Sequence, residues 1–113
     1  MSLGKRGEEI AANYLENKGF KILERNFRCR TGEIDIVAAL GRVLVFVEVK
    51  TRNNCRYGLP CEAVTPGKIH RIKKAAGFYS LKNHVENAEQ RIDVIEILYI
   101  GEKAYIRHTE NAV

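Results

Sequence analysis

The chain lacks most of the marks by which a function is read from sequence. Its 113 residues hold no apolar run near the roughly 20 that a membrane-spanning helix needs. The longest run is Val43-Leu44-Val45-Phe46-Val47. The first residues, MSLGKRGEE, lack the apolar segment of a signal peptide, so a cytoplasmic location without membrane association is expected. Cysteine is scarce. Cys29, Cys55 and Cys61 are odd in number and have no CxxC spacing, which argues for reduced thiols and against a disulfide framework or a zinc site. His70, His84 and His108 share no metal-ligand spacing with each other or with cysteine, and are expected to be exposed. Gly4-Lys5-Arg6-Gly7 follows no strand and lacks the Gly-Lys-Ser/Thr ending of a phosphate loop. No serine or cysteine has a recognisable base and oxyanion partner. No repeat, linker or low-complexity tract breaks the sequence. What remains is one domain over residues 1–113, with 45% hydrophobic and 29% charged residues, ordinary for a globular chain.

The charge is unevenly spread. The net charge is +5, but the stretch from Lys50 to Lys82 alone carries +7 and the remainder −2. That stretch holds eight Lys or Arg and a single acid, Glu62. A concentrated basic stretch is the footprint expected for a phosphate-backbone partner. The alternative is a solvated helix face.

Residues 31–52, TGEIDIVAALGRVLVFVEVKTR, form the most informative segment. Its two halves alternate with a period of two, with a glycine between them. Val43, Val45, Val47 and Val49 share one face of the second strand, and Leu44, Phe46, Glu48 and Lys50 the other. A two-residue type II′ turn at Gly41-Arg42 would set Asp35 opposite Glu48 and Glu33 opposite Lys50, whereas a four-residue loop would set Asp35 opposite Phe46 and only diagonal to Glu48. Like charges directly opposed on a hairpin are destabilising. A divalent cation bridging the two carboxylates would remove the conflict, and Mg²⁺ suits such a site. It takes oxygen ligands and is held by one or two carboxylates plus substrate phosphates. Lys50, on the same face, could orient an attacking water or neutralise charge building on a phosphate. The alternative is a solvated face with a cross-strand ion pair.

The periodicities predict α-β-β-β-α-β-β. The first helix runs from about Lys5 to Lys18 and ends near Gly19, with Glu8 turned toward its packed side. That acid is a candidate third carboxylate, or merely a favourable charge near a helix N-terminus. A strand over Phe20–Phe27 and the hairpin follow. A long connection runs from about Arg52 to Val64. Thr65-Pro66 reads as an N-cap and first helical residue of a second helix that reaches about Asn83. Its core stripe is Ile69, Ile72, Ala76 and Tyr79, with Arg71, Lys74 and Lys82 outward. Strands over Arg91–Ile100 and Ala104–His108 complete the chain. The third strand should be central, and the second helix permits a right-handed parallel crossover to the fourth. The fold class is α/β, a mixed sheet flanked by helices.

An acid on the first helix, an Asp in the second strand and Glu-x-Lys in the third resemble the PD-(D/E)xK nuclease superfamily. More narrowly, the whole chain resembles the YraN-like family of small bacterial proteins, expected to be endonucleases and distantly similar to Holliday junction resolvases. The matching residues include Gly7-Glu8, Glu24-Arg25-Asn26, Gly32-Glu33-Ile34-Asp35-Ile36, Phe46-Val47-Glu48-Val49-Lys50-Thr51-Arg52, Gly58, Lys68 and Asp93-Val94-Ile95. The resemblance implies a restriction-endonuclease-like core and Mg²⁺- or Mn²⁺-dependent phosphodiester hydrolysis. Asp35, Glu48 and Glu8 would be metal ligands, and Lys50 the catalytic lysine. Here the superfamily's Pro-Asp is Ile34-Asp35, which keeps the carboxylate. Arg52, Lys68, Arg71 and Lys74 are the expected phosphate contacts. The leading expectation is a metal-dependent endonuclease acting on nucleic acid, with DNA as the first choice. Resolvase-like chemistry on two strands would add a homodimer. The other classes are a nucleic-acid-binding module with an unused site, and a protein-interaction domain with a basic helix.

Overall fold

The computed structural model describes residues 3–53 and 65–112. Helix α1 (Leu3–Asn17) is followed by strands β1 (Lys21–Cys29), β2 (Gly32–Leu40) and β3 (Val43–Asn53), helix α2 (Pro66–Lys82), and strands β4 (Glu89–Ile100) and β5 (Lys103–Thr109). The element order is the one the periodicities predict. Strand β3 runs through Asn53, past the expected start of the connection. The rest of that connection, with Cys55, Gly58, Pro60 and Cys61, lies outside the described residues. No helix among the described residues is long and apolar enough to cross a membrane.

Local chemistry sets the helix ends. After α1, the Phe20 N–H bonds to the Leu15 carbonyl at 2.9 Å and the Gly19 N–H to the Glu16 carbonyl at 3.0 Å, a Schellman closure. Phe20 is therefore part of this closure, and β1 begins one residue after the expected start. At the head of α2 the Thr65 hydroxyl accepts from the Lys68 N–H at 3.2 Å, and Pro66 opens the helix where no donor is needed.

The strands form one sheet in the order β1-β2-β3-β4-β5. The pairs are antiparallel except β3–β4, which is parallel. Strand β3 is central because its residues are apolar on both faces, and helices cover both. Ala11, Ala12 and Leu15 of α1 pack on Ile36, Ala38, Val45, Val47, Ile95 and Ile97. Ile72, Ala75, Ala76 and Tyr79 of α2 pack on Phe27, Ile34, Val37, Leu44, Phe46 and Ile92. Glu48 and Lys50 continue the Leu44–Phe46 row, so they face the α2 side.

The hairpin has the expected register. Leu40 pairs with Val43, and the ladder runs on to Ile36 and Val47. Gly41 has φ +60, while Arg42 is not left-handed, as a type II′ turn demands.

A candidate metal and phosphate site on the central strand

The β2–β3 ladder stops one step short of Asp35. Asp35 Oδ2 instead accepts the Val49 N–H at 2.8 Å, so the side chain takes a donor that a ladder would have used. The β1–β2 ladder skips the same residue. Arg25 pairs with Ile36 and Phe27 with Ile34, but the rung between them, Asn26 and Asp35, is missing. Asn26 is left-handed at φ +54, a conformation that asparagine tolerates. Across this rung the strands change faces. Ile36 packs with α1 and Ile34 with α2, while Arg25 reaches Glu9 of α1 at 2.7 Å. Asp35 is thereby held at an opening in the centre of the sheet. The expected pairing of Glu33 with Lys50 does not form. Glu33 ion-pairs with Arg28 at 3.2 Å, its partner across β1–β2.

Glu48 stands between two groups of opposite kind. It is hydrogen-bonded to Asp35, and its Oε1 lies 3.0 Å from Lys50 Nζ. Opposed carboxylates and an ion pair thus occur together. Burial, and next the charge of Glu48, raise the Asp35 pKa from 3.8 to about 7; the Val49 N–H works against the rise, and Glu8 adds a smaller push. Without a cation, two carboxylates this close cannot both ionise cheaply, and the charged form of Asp35 is disfavoured. Burial works against the charge on Lys50, yet its pKa is raised, through the hydrogen bond to Glu48 and attraction to Glu48 and Asp35. Lys50 is fully cationic at neutral pH.

Two glycines bring the flanking elements close. A Cβ on Gly7 would collide with the Thr51 hydroxyl, so α1 lies hard against β3 one residue beyond Lys50 and carries Glu8 to that end of the sheet. A Cβ on Gly32 would come within 3.1 Å of the Arg71 carbonyl, so the β1–β2 turn lies against α2. Between that turn, α2 and β3 opens a cleft of about 530 Å³. It is lined by Arg28, Arg30, Lys50, Lys68 and Arg71 and by the acids Glu33 and Glu48, with Cys29, Thr31, Gly32 and Ile72 completing the wall. Asp35 does not line the cleft and reaches it through Glu48.

Asp35, Glu48, Lys50, Lys68 and Arg71 are therefore gathered in or beside one cleft. Arg52 is not among them; it lies 3.3 Å from Glu96 of β4, which also binds Arg107 at 2.8 Å. Lys74 is exposed on α2 outside the cleft wall. Among the described residues no three of His, Cys, Asp and Glu form a ready metal cage. The acids form a close pair, with Glu8 acting on Asp35 through its charge. Arg28 and Arg30 were not anticipated as cleft residues. Their signal is the Arg28-Cys29-Arg30 run before the turn, outside the basic stretch from Lys50 to Lys82.

The donor set fits a small hard cation. Both acids are carboxylates set against each other, and the cations of the cleft stand nearby. That is the pattern for Mg²⁺, which keeps waters and shares phosphate ligands.

Residues 7–97 match Uncharacterised protein family UPF0102. The chain belongs to that family. It is similar to the UPF0102 protein of Geobacter metallireducens, 52% identical over 98% of this chain and 91% of that one. It is also similar to UPF0102 proteins of Pelobacter propionicus (54%, covering 96% and 80%) and Clostridioides difficile (48%, covering 96% and 94%). Among solved structures there is a likeness to Pyrococcus furiosus SfsA in complex with Ca²⁺, at 18% identity and TM-score 0.42. It covers 96% of this chain and 62% of that one.

One expectation is reversed by the fold. His108 is not exposed; its side chain is 6% accessible. Its Nε2 lies 2.8 Å from Asp93 Oδ2 and its Nδ1 3.0 Å from the Tyr14 hydroxyl. A carboxylate only accepts, so Nε2 carries the proton. Asp93 is fully buried and also accepts from Arg91 Nε and Nη2 at 3.0 and 3.1 Å and from the Asn111 N–H at 2.9 Å. The network joins α1, β4 and β5. The sequence offered no spacing signal for it, because its members are 94 and 15 residues apart.

Proposed function

We propose that this UPF0102 protein is a divalent-metal-dependent phosphodiesterase acting on nucleic acid, with DNA as the leading substrate. The observation that carries the reading is the Asp35–Glu48 pair with Lys50 beside it at the edge of a cationic cleft. Asp35 and Glu48 would hold Mg²⁺ or Mn²⁺. Bound there, the metal would polarise the scissile phosphate and stabilise the charge that develops on it. Lys68, Arg71, Arg28 and Arg30 would bind the flanking phosphates and set the register of the backbone without reading sequence. Lys50 Nζ, held by Glu48, would orient the attacking water or stabilise a phosphate oxygen. Glu8 would add negative charge at the Asp35 side.

A second reading is a nucleic-acid-binding module with a resting site. It is supported by the Glu48–Lys50 ion pair and the raised pKa of Asp35, which together let the pocket stand without a metal. The two readings separate in a cleavage screen over duplex, single-stranded, flap and four-way DNA in Mg²⁺, Mn²⁺ and EDTA, with Glu48→Ala as control. The nuclease reading expects metal-dependent products that the control lacks. Tight binding without products in either metal supports the module. Equal cleavage by Glu48→Ala after rigorous purification defeats the site assignment.

A further inference from the structure

We propose that the outward face of α2 carries a stacking site for an unpaired base, built on Phe78, and that single-stranded nucleic acid leaving the cleft follows this face. The proposal rests on the nucleic-acid reading above and narrows its substrate to strands with unpaired nucleotides beside the site.

Helix α2 contains no acidic residue. Arg71, Lys74, Phe78 and Lys82 recur at spacings of three, four and four, so they form one stripe along the helix. All four are exposed. Arg71 is also a wall of the cleft, so the stripe begins where the proposed phosphate site ends. At 1.5 Å per residue, Phe78 lies about 10 Å farther along the helix.

Phe78 is 53% exposed, and the core has no need of it. Ile72, Ala75, Ala76 and Tyr79 already supply the buried face. Its ring has an aromatic neighbour on one side. It leans on Phe27, with centroids 6.3 Å apart and planes at 36°. Phe27 in turn sits edge-on to Tyr79 at 5.2 Å and 90°, with Lys82 Nζ 5.8 Å from its centroid. The result is an aromatic ring braced on one side, open on the other, and flanked by cations. Single-strand sites combine these two elements: cations track the backbone and an aromatic face receives a base. A duplex presents no free base face to such a ring. A protein partner would have to bury the flanking lysines, and the cores of protein interfaces are depleted in charge.

The test is fluorescence anisotropy in EDTA, where no cleavage interferes, with labelled oligo-dT of about a dozen nucleotides, an abasic strand of equal length, and a duplex. Phe78→Ala should weaken oligo-dT binding roughly 5- to 150-fold, the range for one base–aromatic stack. It should leave the abasic strand and the duplex nearly unchanged. Phe78→Trp should retain binding and be quenched by oligo-dT. Phe78→Leu, which keeps apolar bulk without an aromatic face, should behave like Phe78→Ala. Melting curves check that each variant is folded. An oligo-dT affinity that Phe78→Ala leaves intact overturns the proposal, as does an equal loss on the abasic strand, rescue by Phe78→Leu, or no oligo-dT binding by wild type. Failure here with metal-dependent cleavage intact removes only the stacking site. Phe78-dependent binding without cleavage removes only the nuclease reading.

Discussion

Two aspartates of the same sheet, Asp35 and Asp93, are treated in opposite ways. Asp93 is fully buried and saturated with donors: Arg91 twice, the Asn111 N–H and His108. Asp35 is less buried, has one backbone donor, and faces another carboxylate. A carboxylate whose lone pairs are all met belongs to the architecture; here it ties β5 to β4 and, through His108 and Tyr14, to α1. A carboxylate left short of donors and set against a like charge is unfinished without a cation. Under the proposed function the difference assigns the metal-holding role to Asp35 and not to Asp93, although Asp93 is the more deeply buried of the two.

The largest effect that can break the comparison is on turnover. Cleavage by Asp35→Ala, Glu48→Ala and Lys50→Ala should fall by about 10²–10³-fold or more in the initial rate, the scale of one lost electrostatic stabiliser. Asp93→Asn, assayed where it remains folded, should keep most of the activity. Comparable losses at the two aspartates would erase the distinction.

Stability comes next, with the order reversed. Asp93→Ala takes a shared acceptor from Arg91, His108 and the Asn111 N–H at a fully buried position and should cost about 3–5 kcal/mol in a denaturant titration. In the metal-free protein, Asp35→Ala should cost much less, because a repulsion goes with the side chain.

The pH dependence sharpens the same contrast. Folding raises the Asp35 pKa from 3.8 to about 7. Between these values the native state binds more protons than the unfolded chain, so metal-free stability should fall as pH rises from about 4 to about 7, then level off. Asp35→Asn should flatten that slope. Glu96 gives the opposite sign. The hydrogen bond from Arg107 holds its pKa below the usual 4.5, against the effect of burial. Its contribution is present above about 4.5 and fades as pH falls below it. Denaturation of wild type, Asp35→Asn and Glu96→Gln across pH 3–9 separates the two.

The smallest effect concerns the cleft wall. Each real phosphate contact adds roughly 0.9 to the magnitude of the log–log salt slope on duplex DNA. Removing Arg28, Arg30, Lys68 and Arg71 singly should therefore lower it by about that step each. Arg52→Ala should leave it unchanged, since Arg52 is held by Glu96.

Much of this was legible in the chain, for identifiable reasons. The alternation of residues 43–50 and the glycine at 41 specify the hairpin register, since a one-residue slip would turn every valine to the wrong face. A helix between β3 and β4 leaves room for the parallel crossover. The break at Asp35 was not legible. It depends on a left-handed Asn26 in the neighbouring strand, a backbone choice that leaves no periodic trace. His108 misled because its strand is mostly exposed, and its burial comes from Tyr14 and Asp93, residues distant in sequence. Arg28 and Arg30 were hidden because the cleft is assembled by the approach of Gly32 to Arg71, a contact between separate parts of the chain.

The most direct test of the contrast between the two aspartates is the melting temperature of wild type, Asp35→Asn and Asp93→Asn, each in EDTA and in Mg²⁺ at pH 8. In EDTA, Asp35→Asn should melt at or above wild type and Asp93→Asn well below it. Saturation at ten times the dissociation constant stabilises by roughly 1.4 kcal/mol. Since 1 kcal/mol moves the midpoint about 4–8 °C in a domain of 60–100 residues, wild type and Asp93→Asn should gain several degrees in Mg²⁺, and Asp35→Asn almost none. An Asp35→Asn protein that melts as low as Asp93→Asn in EDTA, or gains as much from Mg²⁺ as wild type, would contradict the account.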